Sequence, residues 1–145
     1  MLARVLTATV AGGIVFFVLG GIIFALILDP LIMKPNANPE IFKVMKDPPN
    51  WVFVILFNLV AAFLLAYIFE KWASISTFAG GFIGGAVIYF IVGLYSQCMS
   101  AAFMNMWQGI TPMIADLVAT TILGGAAGGV IGMVLGKMNK RTAAG

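Results

Sequence analysis

The sequence predicts an all-α membrane protein, a bundle of four transmembrane helices packed through stripes of glycine and other small residues. Three observations predict this fold. The chain of 145 residues is 62% hydrophobic and only 9% charged, whereas a soluble domain carries about 25% charged residues. Four apolar segments are long enough to cross the hydrocarbon of a bilayer, which takes about 20 residues of helix. Glycine recurs at every fourth residue in the last segment, a spacing typical of closely packed membrane helices.

The first helix is predicted over residues 5–28, between Arg4 and Pro30. Its apolar run is longer than the roughly 7–15 residues of a signal peptide, so we expect it to stay in the protein as an anchor. The second helix is predicted over residues 51–69. Glu70 follows it directly, and we expect this carboxylate to be a solvated charge at the membrane boundary.

The long apolar run between Lys71 and Asp116 must contain two helices. A single straight helix of this length would be about twice as long as the bilayer is thick, at ~1.5 Å per residue. The break is predicted within residues 105–112, where glycine and proline interrupt the apolar pattern. We therefore predict the third helix over residues 75–97 and the fourth over residues 112–136.

The four helices are predicted to form a single transmembrane domain over residues 1–145, with a polar, proline-rich outer loop at residues 29–50. Residues 38–45 of this loop fit either a short interfacial helix or an irregular turn. Four spans place both termini on one side, and basic residues favour the cytoplasm for that side. The termini would share a side with Arg4, Lys71, Lys137, Lys140 and Arg141, and the other side would hold Lys34, Lys43 and Lys46.

Small residues recur at every fourth position of the predicted helices, and the richest rows lie on the third and fourth. Glycine in a helix costs up to ~1 kcal/mol relative to alanine, so this concentration needs a compensating gain, which close backbone contact supplies. The rows fit packing within the bundle or an interface between copies; a pore would need a more polar lining. The predicted helix-packing glycines are Gly81, Gly85, Gly124, Gly128, Gly132 and Gly136.

Asp116 is the centre of a candidate polar site, because it is a carboxylate within an apolar segment. A carboxylate costs roughly 2.5–3.5 kcal/mol at the centre of a membrane helix, so it needs partners or a proton. Asn58, Gln97 and Tyr95 are predicted at a similar depth, and they are the candidate partners together with Thr120. The group would serve either as a site for a proton or solute, or as a polar clasp that fixes helix register.

The residue inventory limits the chemistry that this chain can perform. It has no histidine and one cysteine, Cys98, which excludes an intramolecular disulfide, a Ser-His-Asp triad and a histidine-ligated haem. We expect no catalytic residue, no metal site and no cofactor. Met99, Met104, Met106 and Met113 cluster loosely near the predicted break. Thioether ligation of Cu(I) is one interpretation of this cluster, but we expect these side chains to fill packing gaps.

Three stretches carry a resemblance to known proteins: residues 45–51 (Met-Lys-Asp-Pro-Pro-Asn-Trp), residues 71–81 and residues 124–137. Together with the four-span layout, they resemble a group of short, uncharacterised four-helix bacterial membrane proteins of the Bacteroidetes type. The resemblance implies the inner, cytoplasmic membrane of a bacterium. That group has no established activity, so the resemblance assigns no functional residue.

These observations favour a non-enzymatic integral membrane protein that acts by helix packing, as a homo-oligomer or as an accessory subunit of a membrane complex. The alternative is a small transporter or channel with a polar site around Asp116. The expected partners are the lipid bilayer and either a second copy of the chain or another membrane protein. The net charge of +3 is spread over the segment ends, so no nucleic-acid partner is expected.

Overall fold

The computed structural model describes residues 1–143 and is 85% helical. Residues 144 and 145, the end of the predicted domain, lie outside this described part. Within it, four helices are long and apolar enough to span a membrane. The all-helical fold and the four potential spans confirm this much of the sequence prediction. The helices are α1 over Leu2–Asn36, α2 over Trp51–Ala73, α3 over Phe78–Phe103 and α4 over Thr111–Ala143.

The first helix, α1, extends further than the sequence predicts. It is α-helical over Leu2–Gly20, π-helical over Gly21–Met33 and 3₁₀-helical over Lys34–Asn36. The predicted end at residue 28 is wrong because Pro30 lies inside the helix. Proline has no backbone N–H and therefore removes one hydrogen bond from an α-helix. Here the backbone hydrogen bonds have already changed to the π-helical pattern at Gly21, before the chain reaches Pro30.

Side-chain caps set the starts of α2 and α3. Asn50 Oδ1 accepts a hydrogen bond from the N–H of Val52 at 3.2 Å, which satisfies a free donor of the first turn. Thr77 Oγ1 accepts from the N–H of Gly80 at 3.1 Å, and α3 therefore begins at Phe78 rather than at residue 75. At the other end, α3 runs past the predicted residue 97 to Phe103, and α4 runs past residue 136 to Ala143.

The two ends of the bundle differ in character. One end, which we call the terminal end, holds the N-terminus of α1 and the C-terminal part of α4, since Arg4 contacts Asn139 there. The other, the connection end, holds the α1–α2 and α3–α4 connections. Two backbone hydrogen bonds join these connections, from the Asn38 N–H to Met106 O at 2.8 Å and from the Gln108 N–H to Asn36 O at 2.7 Å.

The central helix of the fold is α4. Half of its apolar window (50%) is buried, against 17–28% for the other three helices. It packs against α3, α1 and α2, whereas α3 packs mainly against α4. Leu65 of α2 and Ile131 and Leu135 of α4 are fully buried side chains of the main core. The segment with the most glycine is therefore also the most enclosed helix.

Glycines bring the backbones of α3 and α4 into direct contact. A Cβ added at Gly81 would lie closer than 3.0 Å to the carbonyl group of Gly128, and one added at Gly128 would lie 2.9 Å from the Cα of Gly85. Real Cβ atoms do not approach other atoms this closely. The two backbones would therefore have to separate to admit even a methyl group at these positions.

The same backbone contact continues toward the terminal end. Added Cβ atoms at Gly132 and Gly136 would overlap the backbone carbonyls of Thr77 and Ser76, which precede α3. Toward the connection end, an added Cβ at Gly124 would overlap the side chain of Tyr89. The glycines of α4 thus face α3 or the chain that leads into it.

The outward faces of α1, α2 and α3 are apolar. Leu26 of α1 is 71% exposed, Phe53 of α2 63% and Ile83 of α3 65%. Apolar surface costs roughly 25 cal/mol per Å² when it is left in water, so faces of this kind suit a hydrocarbon environment. The exposed faces and the four spans are consistent with a multi-pass membrane protein.

Candidate functional site

The candidate site contains one direct polar contact between α3 and α4. Gln97 Nε2 donates a hydrogen bond to Asp116 Oδ2 at 2.5 Å. Both side chains are half-buried, and Asp116 lies early in α4, opposite the C-terminal part of α3. The structure thus brings together two of the residues that the sequence places in the polar site.

The pair leaves one buried acceptor atom without a donor. Gln97 Oε1 is buried and has no hydrogen-bond partner among the residues that the structure describes. No ion pair to Asp116 is present among them either. An unpaired buried acceptor costs about 1–3 kcal/mol. A proton, a cation or another donor placed here would therefore lower the energy of the pair.

Thr120 lies one turn along α4 from Asp116, where α4 meets Gly93 of α3. A Cβ added at Gly93 would lie 3.5 Å from Thr120 Cγ2 and 3.1 Å from Leu117 Cδ1. The missing side chain at Gly93 therefore lets α4 approach α3 next to the polar pair. Sequence reasoning left Gly93 out of the site, although it stands four residues before Gln97 and therefore on the same helix face.

Asn58 and Tyr95 lie away from the polar pair. Asn58 Nδ2 donates to the carbonyl of Val54 in its own helix at 2.7 Å, and the side chain lines a recess between α1 and α2. Tyr95 is 68% exposed. The prediction that both residues join Asp116 is therefore corrected: a similar depth along a helix does not determine the direction in which a side chain points.

A pocket of about 170 Å³ lies at the connection end, one helical turn beyond the polar pair. Ser100 and Ala101 follow Gln97 by three and four positions, and Met113 precedes Asp116 by three, so each shares a helix face with its neighbour. The side chains around the pocket are Ser100, Ala101, Met104, Asn105, Met106, Trp107 and Met113. The polar pair itself does not line the pocket, which is lined by polar, apolar and thioether side chains.

Toward the terminal end, the α3–α4 seam beyond the polar pair is closed. An added Cβ at Gly85 would overlap the carbonyl of Gly124, and the two backbones leave no space between them. The polar pair is therefore separated from the terminal end by directly packed backbone.

A second polar cluster, which sequence reasoning missed, lies at the terminal end. Arg4 Nη2 lies 2.8 Å from Glu70 Oε1, and Arg4 Nη1 donates to Asn139 Oδ1. The Glu70 side chain is only 9% exposed, so the expectation of a solvated boundary charge is wrong. Arg4 and Glu70 are far apart in sequence, and only the tertiary fold makes them partners.

Metal-binding potential in the described residues rests on thioethers. Among residues 1–143, no group of three or more histidine, cysteine, aspartate or glutamate side chains could hold a metal ion. Three of the four methionines near the predicted break line the 170 Å³ pocket, namely Met104, Met106 and Met113. Met99 does not line it and is 44% exposed.

In the part of the chain that the structure describes, the arrangement offers hydrogen-bond acceptors, thioethers and apolar surfaces. No family model matches this chain, and no curated protein and no solved structure matches it. Its function is therefore inferred from the geometry of its own residues.

Proposed function

We propose that this chain is a non-enzymatic integral membrane protein that acts by helix packing, as a homo-oligomer or as an accessory subunit of a membrane complex. The observation that carries the proposal is the contrast between α4, which is half buried, and the broad apolar faces of α1, α2 and α3. These faces are available to lipid and to other membrane helices. The glycine contacts between α3 and α4 support a bundle stabilised by close backbone approach.

The surface best suited to a partner helix is the recess between α1 and α2. It has a volume of about 280 Å³, and its lining is almost entirely apolar. Gly13 at its base has no side chain, and Val10, Ile14 and Val18 rise beside it at four-residue spacing. Membrane helices associate through small residues and dispersion contacts of this kind, so a ridge of another helix would fit here.

Crosslinking in native membranes tests this proposal. Ile14→Cys, placed beside the recess in a Cys98→Ser background, is expected to crosslink to a second copy or to a co-purifying membrane protein. Ile83→Cys is the matched control, because Ile83 is similarly exposed but lies on α3. The proposal fails if neither cysteine crosslinks and the chain leaves the membrane alone and monomeric.

We propose the inner membrane of a bacterium as the location, with both termini in the cytoplasm. Support comes from the greater number of basic residues at the terminal end and from the resemblance to short bacterial membrane proteins. Arg4, Lys71 and Lys137 belong to that end, whereas Lys34 and Lys43 belong to the other. Cytoplasmic loops carry the excess of basic residues in membrane proteins.

A second candidate function is a small transporter or channel with its polar site at Asp116. The unpartnered Gln97 Oε1 beside this carboxylate favours it. Asp116→Asn is then expected to abolish flux of a proton or small cation in proteoliposomes, while thermal unfolding stays unchanged. If Asp116→Asn lowers stability and the unmodified chain shows no flux, the pair is a polar clasp and this candidate fails.

A further inference from the structure

Three thioethers from separate parts of the chain meet in one pocket at the connection end. Met104 follows the last residue of α3, Met106 lies in the α3–α4 connection, and Met113 lies in the first turn of α4. The pocket that they line has a volume of about 170 Å³, which leaves room for an ion among its ligands. Methionine commonly fills irregular gaps in a core, but three thioethers that line one pocket also form a set of soft ligands.

Backbone contacts hold one wall of this pocket, the α3–α4 connection, in place. Met106 O accepts the Asn38 N–H at 2.8 Å, and the Gln108 N–H donates to Asn36 O at 2.7 Å. These two bonds tie the α3–α4 connection to the end of α1, on either side of Trp107. The backbone at Met106 is therefore held in position, and a ligand on an ordered backbone loses less conformational entropy on binding.

The chemistry of the lining selects one class of ion. Thioether sulfur is a soft, neutral donor that suits Cu(I), and it has no proton to release on binding. No lysine or arginine lines the pocket, so a cation meets no repulsion there. Hard divalent ions prefer oxygen ligands, and the pocket side chains offer only those of Ser100 and Asn105.

We propose that Met104, Met106 and Met113 form a binding site for a soft monovalent cation, Cu(I) or Ag(I), entered from the connection end. The site is independent of the packing function, and it requires no transport. It assigns a role to three methionines that neither the core nor the Asp116–Gln97 pair uses.

Titration of the purified full-length chain with Ag(I) tests the site. All variants carry Cys98→Ser, because the exposed Cys98 thiol would bind silver itself. The expected result is one equivalent of bound Ag(I), with quenching of Trp107 emission in a Trp51→Phe and Trp72→Phe background. Combined Met104→Leu and Met113→Leu substitutions keep the side-chain volume, and we expect them to weaken binding at least about tenfold.

Two further variants decide the outcome. Met99→Leu removes a nearby thioether outside the pocket, and it is expected to bind Ag(I) as the parent does. Met106→Leu changes only the connection and is expected to weaken binding even if the double variant does not fold. The proposal is overturned if Met99→Leu weakens binding as much as Met106→Leu does. It is also overturned if only Asp116→Asn abolishes binding, because the cation would then sit at the carboxylate.

Discussion

At the residue scale, the contact between Arg4 and Glu70 shows how a boundary charge becomes a structural element. The Arg4 side chain is 26% exposed and the Glu70 side chain 9%, so neither group is fully solvated. Removing one partner of a buried ion pair leaves the other charge without compensation. Arg4 of α1 pairs with Glu70 of α2 and donates a hydrogen bond to Asn139 of α4. These contacts connect the three helices at the terminal end.

We predict that Glu70→Gln lowers the free energy of unfolding by about 1–3 kcal/mol, because Arg4 loses its counter-charge in a partly buried position. The measurement is reversible unfolding in mixed detergent micelles, followed by circular dichroism. Glu40→Gln is the control, because both side chains of the Glu40–Lys43 ion pair are about 70% exposed. Exposed ion pairs contribute about 0–1 kcal/mol to the free energy of unfolding. Equal effects of the two substitutions would contradict this account.

At the element scale, the approach of α3 to α4 depends on glycine only at certain positions. Gly85 faces the Gly124 carbonyl directly, whereas a Cβ added at Gly21 of α1 would meet nothing within 4 Å. Periodicity along the chain predicts that glycine rows exist, and both residues belong to such rows. Which glycine of a row contacts the backbone of another helix depends on how that helix packs. The sequence of one helix does not contain this information.

Gly85→Ala is predicted to destabilise the fold by about 1–3 kcal/mol, because the added methyl group forces the α3 and α4 backbones apart. Gly21→Ala is predicted to be neutral or to stabilise by up to about 1 kcal/mol, since alanine favours the helix and no neighbour is displaced. The free energies of unfolding of both variants, measured in the same detergent, test whether the two changes have opposite signs. A loss of stability at Gly21 as large as that at Gly85 would contradict this account, because an added methyl group at Gly21 displaces no neighbour.

At the scale of the whole molecule, the fold has two chemically different ends. The terminal end carries the Arg4 cluster, and the connection end carries the methionine pocket and the joined connections. A bundle that spans a membrane exposes these ends to different compartments. Any ligand of the methionine pocket would therefore arrive from one side only.

Labelling of spheroplasts with a membrane-impermeant maleimide tests this orientation in a Cys98→Ser background. Val44→Cys, at the 80% exposed Val44 in the α1–α2 connection, is predicted to react in intact spheroplasts. Lys137→Cys near the terminal end is predicted to react only after the membrane is permeabilised. The reverse pattern would place the termini outside, and reaction of both before permeabilisation would contradict a spanning bundle.

The amino-acid sequence by itself determined the number of potential spans and the helical fold class, because apolar length and charge depletion are local properties of each segment. It also placed Asp116 and Gln97 in one candidate polar site, but it named Asn58, Tyr95 and Thr120 as equal candidates. Tertiary structure alone decided that Asn58 and Tyr95 point elsewhere and that Glu70 pairs with Arg4. The physical reason is that the direction of a side chain around its helix has meaning only relative to the helices packed against it.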